Sequence, residues 1–298
     1  MAHLLAGIEG NDRLAVYAGR SGFATRLNSL LSMAAFGRKQ TAERPASRIG
    51  VAKLGLGVTM QQWNSAVHSY WDGLFDSGIC VPTADEFSLV INPHLGTERR
   101  AMVMVASNGC TRSAVSPCVA SALGIASDGI PVSLSWLRQA LHAAGVEMHA
   151  PDVIYYVAAA GVSATRSSTL VEVRPLAPDD AALFDGFMAQ ISPADQDDAS
   201  VELGHWAAFG AFVESELLAV SSLYPWGGAA IADMGVLTMP RARGKGIARS
   251  LVRAMIEYAG KHGYEAQYRC QFDNVASNGL AKSLELAPYG KWEVACLP

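Results

Sequence analysis

Residues 231–246 read IADMGVLTMPRARGKG and place a short apolar segment directly before a loop of glycines and basic residues. The segment 231–238 has the length and composition of a buried β-strand. After the loop, apolar residues recur at spacings of four from Ile247 to Met255, which predicts an amphipathic helix. A glycine at Gly260 indicates where that helix ends. The sequence therefore predicts a strand, a glycine loop and a helix in direct succession.

The glycine loop has the composition of an anion-binding site. Gly244 and Gly246 allow backbone conformations that other residues avoid, and they let an anion approach the main chain. Main-chain N–H groups at the start of the following helix favour negative charge. Three cations add charge for phosphate oxygens: Arg241, Arg243 and Lys245. The spacing matches neither a P-loop nor a dinucleotide-binding glycine motif, so it predicts a pyrophosphate site of another kind.

Two motifs in this part of the chain resemble those of one family. Arg241-x-x-Gly244-x-Gly246, preceded by Val-Leu-Thr, is similar to the acyl-coenzyme A signature of the GNAT N-acetyltransferase superfamily. About thirty residues later, Asn274-Val-Ala-Ser-Asn-Gly-Leu-Ala281 resembles the second motif of that family. The resemblance covers about residues 169–298, and it identifies this part as a GNAT-like acetyltransferase domain.

The resemblance implies an α/β (α+β) fold: a mixed, splayed β-sheet flanked by helices. Acetyl-CoA, the implied co-substrate, would enter the gap between the strand ending at Thr238 and the strand ending near Phe272. Asn274 and Ser277 fit a border of this site, and they fit helix capping equally well. No metal is implied. The cofactor-binding residues implied by the family are Val236, Leu237, Thr238, Arg241, Arg243, Gly244, Lys245, Gly246, Ile247, Ala248, Asn274 and Ser277.

The implied chemistry is direct attack of an amine on the thioester. A base must remove the amine proton, and Asp233 lies where the family often places an acid that serves as this base. The alternative is that Asp233 makes a structural hydrogen bond at a strand end. Negative charge develops on the thioester oxygen, and a main-chain N–H near Val236 or Leu237 could stabilise it.

The sequence departs from the family where the leaving thiolate is protonated. Many members carry a tyrosine in the helix of the second motif, and the aligned residue here is Ala281. Tyr289 follows the predicted end of this helix and is the candidate acid, with Tyr268 and Tyr224 as alternatives. Some members release the thiolate without a dedicated acid, so this departure is compatible with activity.

The acceptor side of the predicted domain is acidic. Between residues 175 and 204 there are seven carboxylates and no lysine or arginine. The segment 191–202 is expected to be a loop at the acceptor cleft, where its charge would attract a cationic amine; alternatively the carboxylates form a solvated surface. Trp206, Tyr224 and Trp226 could wall the cleft or belong to the core.

The part before this domain, residues 60–165, is predicted to be a smaller α/β N-terminal domain. Helices are expected over residues 60–75 and 133–144, the second with Ser133 as its cap, and strands over 101–106 and 153–158. Its histidines are isolated, which favours structural roles. The part could be a degenerate relative of the C-terminal fold, and it contains no phosphate loop, so one active site per chain is expected.

Residues 1–59 contain an excess of arginines among serines and alanines. Such a segment is typical of an organelle-targeting peptide or of a loosely ordered or helical extension. A net charge of −4 and a pI near 6.0 argue against nucleic-acid binding. The scattered cysteines and the absence of a long apolar run favour a cytoplasmic protein without a membrane span.

The sequence predicts an N-acetyltransferase that transfers an acetyl group from acetyl-CoA to a primary amine of a small molecule or a protein. Three other functions stay open: transfer of a longer acyl chain, regulation by acyl-CoA binding without turnover, and a structural role as a dimerisation domain. Homodimerisation is open in every case. The intact glycine loop disfavours a purely structural role.

Overall fold

A computed structural model describes residues 63–158 and 171–296. These residues contribute to one mixed sheet of eleven strands, in the order β1-β2-β4-β3-β11-β5-β10-β9-β8-β7-β6. The strands are β1 Ile79–Val81, β2 Phe87–Ile91, β3 Ala101–Ala106, β4 Thr111–Val115, β5 Asp152–Tyr156, β6 Glu172–Pro175, β7 Ala207–Val213, β8 Glu216–Pro225, β9 Ile231–Thr238, β10 Glu265–Gln271 and β11 Ala287–Val294.

Within the described residues, seven α-helices flank the sheet, and several begin at capping residues visible in the sequence. Asn64 caps the first helix, and Ser133 caps the third as predicted, each accepting a hydrogen bond from a main-chain N–H. The helices are α1 Ser65–Phe75, α2 Pro117–Leu123, α3 Leu134–Ala143, α4 Ala181–Met188, α5 Pro193–Ala199, α6 Ile247–Lys261 and α7 Val275–Ser283. No helix in these described ranges is both long and apolar enough to cross a bilayer.

The fold class is the predicted one, a mixed sheet flanked by helices, but both parts of the chain build the same sheet. β5, from the N-terminal part, lies between β10 and β11 and is antiparallel to both. β11, the last strand, also pairs with β3 of the N-terminal part. The expected domain boundary lies in residues 159–170, outside the described residues, and the division into two domains stays a prediction. The expectations for residues 1–59 also lie outside them.

The sheet opens between its two central parallel strands. β9 and β10 pair from Ile231 and Glu265 to Met234 and Tyr268. β9 then continues to Thr238, still paired with β8, while β10 remains paired with β5. Because both strands continue after their mutual pairing stops, a gap forms between their carboxyl ends. β2 and β4, the parallel pair of the N-terminal part, stay in register over five residues and open no such gap.

Helices cover the two faces of the sheet near this gap. We call the face toward which Asp233 points the front face, and the opposite one the back face. Gly235 also points to the front, where a Cβ would lie 1.9 Å from the carbonyl oxygen of Ala199 at the end of α5. Only glycine permits this approach. On the back face, the Tyr155 hydroxyl donates to Asn278 of α7, which lies 2.6 Å away.

Buried aromatic side chains join the two parts of the chain. Trp71 and Phe75 of α1 pack with Tyr156, Trp226 and Trp292 in one cluster. These five residues come from three elements, α1, β5 and β11, and from the segment after β8. Burial of aromatic side chains contributes strongly to core stability. The cluster therefore holds α1 on the sheet beside the gap.

Several sequence expectations were wrong in detail. β11 begins at residue 287, whereas a strand was expected only from about residue 292. Residues 193–199, expected in a loop, form α5. Strands β1, β2 and β4 were not predicted. Pairing with neighbouring strands stabilises these segments, and this tertiary effect overrides their local preferences.

Candidate active site

A cleft of about 620 Å³ occupies the gap between β9 and β10. It is lined along one side by residues 233–238 of β9 and along the other by residues 268–271 of β10. The start of α6, one side of α7, residues of α5 and Tyr224 of β8 contribute the remaining walls. The cleft therefore runs from the point where the strands diverge, its apex, to the predicted glycine loop.

The glycine loop has the backbone conformation that its sequence predicts. Gly244 and Gly246 have φ angles of 74° and 77°, and both line the cleft. Side chains disfavour this left-handed region. Gly246 precedes α6, and no side chain caps the helix there. Its first N–H groups lack intrahelical acceptors, so the helix start beside the cleft is suited to an anion.

The three cations of the loop occupy different positions. Arg243 lines the cleft; its guanidinium donates to the carbonyl oxygen of Thr238 at 3.3 Å and to the Asp195 carboxylate at 3.1 Å. Arg241 pairs with Glu216 and does not line the cleft. Lys245 is exposed and also lies outside the lining. Of the three, Arg243 is thus the cation placed to meet a ligand in the cleft.

The other predicted cofactor-binding residues all line the cleft. Asn274 also caps α7, since its side-chain oxygen accepts from the N–H of Ser277 at 3.0 Å. Capping and cleft lining are therefore compatible at this position. The residues concerned are Val236, Leu237, Thr238, Ile247, Ala248, Asn274 and Ser277.

Asp233 lies at the apex and is 3% exposed. Its Oδ1 accepts from the amide of Gln267 at 2.8 Å. Its Oδ2 accepts from the Tyr224 hydroxyl at 2.8 Å and from the Arg269 guanidinium at 3.0 Å. Both oxygens of this carboxylate are therefore held by neighbouring side chains, one of which is a cation. The geometry favours the structural alternative for Asp233.

Arg269 connects Asp233 to the N-terminal part of the chain. Its guanidinium also donates to Asp152 of β5 at 2.8 Å, and it lies over the ring of Trp226 at 4.8 Å. The three charged side chains are 5–13% exposed. Burial raises the pKa of Asp152, and Arg269 only partly offsets this effect. The apex therefore contains two buried carboxylates and one guanidinium.

Sequence patterns did not indicate Arg269, Gln267 or the two β5 residues that contact them, Asp152 and Tyr156. The signal for Asp152 was a carboxylate directly before the apolar run VIYYV. A charge that begins a strand buried on both faces needs a partner. The sequence did not indicate which partner, because Asp152 and Arg269 are 117 residues apart.

The candidate acid Tyr289 lies outside the cleft. It belongs to β11, is buried in the aromatic cluster with Trp71, and accepts a hydrogen bond from Arg112 at 3.0 Å. Tyr289 does follow α7, but it already belongs to β11, and its side chain packs in the aromatic cluster and not in the cleft. This placement does not support the acid role. The two alternatives, Tyr224 and Tyr268, both line the cleft.

A histidine borders the front side of the apex. The His205 ring lies 4.8 Å from the Tyr224 ring, and its Nδ1 is 2.8 Å from the Ser222 hydroxyl. Burial lowers the pKa of His205, although Glu202 and Asp233 act in the opposite direction. The imidazole is therefore mainly neutral at pH 7.

The acidic acceptor segment is partly placed at the cleft. Asp195 and Asp198 of α5 line it. Asp180 instead pairs with Arg174, which lowers the Asp180 pKa to about 2. Among the aromatic candidates, Tyr224 lines the cleft, whereas Trp206 packs against Tyr258 and Tyr264, and Trp226 belongs to the aromatic cluster.

One protein-family model matches the C-terminal part of the chain. Residues 180–285 match the family model described as acetyltransferase (GNAT) family. No curated protein matches the chain.

Solved structures of similar fold include three with low identity. A GNAT-family protein from Novosphingobium aromaticivorans DSM 12444 is 19% identical, with 50% of this chain and 64% of that chain covered and a TM-score of 0.39. A GNAT-family acetyltransferase from Colwellia psychrerythraea is 14% identical (80% and 98% covered, TM-score 0.43). A GCN5-related N-acetyltransferase from Kribbella flavida is 12% identical (56% and 65% covered, TM-score 0.42). The chain thus spans less than two thirds of the first and third of these proteins.

Proposed function

We propose that the protein is an N-acetyltransferase that uses acetyl-CoA, because residues 180–285 match the acetyltransferase (GNAT) family model. The acceptor is a primary amine of a small molecule or of a protein. The amine attacks the thioester directly: a C–N bond forms, the C–S bond breaks, and coenzyme A leaves as the thiol.

One observation carries this proposal: the cleft joins a strand gap to a glycine loop. Pairing of β9 and β10 ends at Met234 and Tyr268, and the gap beyond that point continues to Gly244 and Gly246. An acyl-CoA has a diphosphate at one place and a thioester at the end of a long, thin pantetheine arm. In the cleft, the glycine loop is the site for the diphosphate, and the gap between the strands is the site for the pantetheine arm and the thioester.

The residues at the loop end fit a diphosphate. The start of α6 presents N–H groups without a side-chain cap, and Arg243 supplies a cation beside them. Positive φ angles at Gly244 and Gly246 orient the main chain toward the cleft. Val236 to Thr238 supply main-chain groups on the side of β9 that no longer pairs with β10.

At the apex, Tyr224 is the group best placed to meet the amine. Its hydroxyl donates to Asp233 and also hydrogen-bonds with Arg269, so one lone pair of the Tyr224 oxygen is left to accept an N–H from the acceptor. Asp233 then acts through Tyr224, by fixing its hydroxyl proton, and does not itself receive the amine proton. The amine reacts as the neutral base, and the proton it loses on attack leaves through water at the cleft mouth.

We assign to Tyr268 the role of the acid, which the family's tyrosine would have at the position of Ala281. Tyr268 lies at the last position of β10 that pairs with β9, and it is among the residues that line the cleft. A tyrosine there could donate a proton to the departing thiolate.

A second candidate is an acyl-CoA-binding regulatory module without turnover. The observation that favours it is that Asp233, the acid expected to serve as the base, already accepts three hydrogen bonds from neighbouring side chains. Detectable amine-dependent thiol release would exclude this candidate.

The first test is calorimetric titration of the full chain with acetyl-CoA. The variant Arg243→Glu/Gly244→Glu places two carboxylates at the loop and should abolish saturable binding. A matched control is Gly260→Glu/Lys261→Glu, which makes the same change in net charge at the other end of α6, outside the cleft lining. It should bind as the wild type does.

Turnover is then measured as thiol release from acetyl-CoA with a panel of primary amines: spermidine, tyramine, and peptides with a free N-terminus or a lysine. Release above the rate without amine establishes the transferase. Binding without release by any amine would favour the regulatory module, and a wild type that does not bind acetyl-CoA would eliminate both candidates.

A further inference from the structure

The apex of the cleft is built in part by residues outside the family-matched segment. β5 spans Asp152–Tyr156, well before residue 180, yet it is the strand next to β10. Its antiparallel register places Ile154 opposite Arg269. Side chains alternate along a strand, so Asp152 and Tyr156 flank Ile154 on the front face, the face of Arg269 and Gln267.

Tyr156 fixes the amide of Gln267. The Tyr156 hydroxyl donates to Gln267 Oε1 at 2.5 Å, and it accepts from the Trp71 indole N–H at 2.9 Å. With its oxygen held in this way, Gln267 presents its NH₂ group to Asp233. All four side chains are buried, so the orientation of the amide is set by these partners and not by water.

Asp152 fixes the guanidinium of Arg269. One terminal nitrogen of Arg269 donates to Asp152 and the other to Asp233. Trp226 lies against the guanidinium plane. Two carboxylates and an aromatic ring therefore hold the Arg269 guanidinium in place. Arg269 and Gln267 together supply two of the three donors to Asp233, and both depend on β5.

We propose that Asp152 and Tyr156 are positioning residues for the acyl end of the cleft: through Arg269 and Gln267 they fix Asp233 and, with it, the Tyr224 hydroxyl. This inference rests on the proposed function, because it assumes that an acyl group and an amine meet at the apex. It gives the N-terminal part of the chain a direct role in the site, beyond packing.

Two substitutions test the two contacts separately, the one from Asp152 to Arg269 and the one from Tyr156 to Gln267. Asp152→Asn removes one of the carboxylates from Arg269, so the guanidinium is no longer held on both sides. Tyr156→Phe deletes one hydroxyl, and Gln267 becomes free to turn its oxygen toward Asp233. Asp152→Glu restores the carboxylate and should recover part of the lost function.

The matched control is Glu293→Gln. Glu293 forms an ion pair with Arg138, and its side chain is 11% exposed, compared with 13% for Asp152. It lies on β11 and does not line the cleft. A loss of function caused only by breaking a buried ion pair would appear in this control as well.

The experiment uses the full chain and compares the Kd values of CoA and acetyl-CoA by calorimetry. The two ligands differ only in the acetyl group, so the ratio of their Kd values reports on the apex. We expect Asp152→Asn and Tyr156→Phe to keep the CoA Kd within about twofold, and to change the ratio by roughly threefold or more, the size of one lost hydrogen bond.

With the panel amine that turns over fastest, kcat should fall about 10- to 100-fold in both variants, the range expected for a misplaced reacting group. The KM for acetyl-CoA should change much less, because the diphosphate site is untouched. Glu293→Gln should match the wild type in both assays.

The inference is overturned if Asp152→Asn and Tyr156→Phe match Glu293→Gln in the Kd ratio and in kcat. Should Asp152→Asn fail to fold, Tyr156→Phe decides alone. A wild type that does not bind acetyl-CoA contradicts the proposed function itself, and this inference with it, so the two failures are distinguishable.

Discussion

Replacing Arg269 by methionine should destabilise the protein strongly. Methionine keeps much of the length of the arginine side chain but leaves two buried carboxylates, Asp152 and Asp233, without their cation. Removal of one partner from a buried ion pair costs about 3–5 kcal/mol. The contact of the guanidinium with Trp226 is lost as well. We therefore expect the free energy of unfolding at pH 7.5 to fall by about 3–5 kcal/mol.

The loss should depend on pH in a defined direction. Burial already raises the pKa of Asp152 in the wild type, and Arg269 is the group that opposes this. Without Arg269 the folded-state pKa of Asp152 rises further. A carboxyl whose pKa is raised on folding stabilises the fold below its unfolded-state pKa and loses this contribution as pH increases through its folded-state pKa. The defect of Arg269→Met should therefore shrink between pH 7.5 and pH 5.

The assay is urea denaturation of wild type and variant at both pH values. A useful comparison is Arg138→Met, which leaves only one carboxylate, that of Glu293, without its cation. Because the Arg138 side chain is half-exposed, this variant should lose less free energy of unfolding than Arg269→Met. Asp152→Asn should lower the free energy of unfolding by less than about 1.5 kcal/mol. In this variant Arg269 still pairs with Asp233, and the cost of burying one of the two carboxylates is removed. A loss below about 1.5 kcal/mol for Arg269→Met, or one equal at both pH values, would contradict this account of the apex.

Four other measurements test particular contacts. Gly235→Ala places a Cβ 1.9 Å from the Ala199 carbonyl oxygen, so it should lower the free energy of unfolding, measured with urea, by about 1–3 kcal/mol or more. Its control is Gly186→Ala, in the exposed middle of α4, where an added Cβ meets nothing within 4 Å. This variant should raise the free energy of unfolding by about 0.5–1 kcal/mol. Tyr289→Phe should leave thiol release at the wild-type rate, since its hydroxyl contacts Arg112 and not the cleft; a large fall in kcat would restore its predicted role as the acid. Burial raises the pKa of Cys270 to about 12, so a chromogenic disulfide reagent at pH 8 should label it last among the cysteines, and rapid labelling would contradict its burial.

The elements that the sequence predicts best are those with a local signal at both ends. β9 has the predicted bounds, residues 231–238, because an apolar run stops at a proline and a charged loop. α3 begins after Ser133, which caps it as expected. The glycine loop likewise combines positive φ angles with a helix start, and both follow from the positions of Gly244 and Gly246.

The elements that were missed depend on contacts made elsewhere in the chain. β11 contains Pro288 and Gly290, which disfavour strands, and its pairing with β3 and β5 overcomes this. α5 was missed although signals were present: Ser192 caps it and Pro193 occupies its first turn. Its run of carboxylates suggested a loop and outweighed these signals.

The apex of the cleft shows why the residues of a site are harder to predict than its motifs. A glycine loop and a helix start are neighbours in sequence, so spacing alone reveals them. Asp152 and Tyr156 meet Arg269 and Gln267 only because β5 lies beside β10, at separations of 117 and 111 residues. Strand order is a property of the whole sheet, and no local pattern contains it. The motif-bearing segment therefore indicates where acyl-CoA would bind, whereas the polar support of Asp233 depends on a strand from outside that segment.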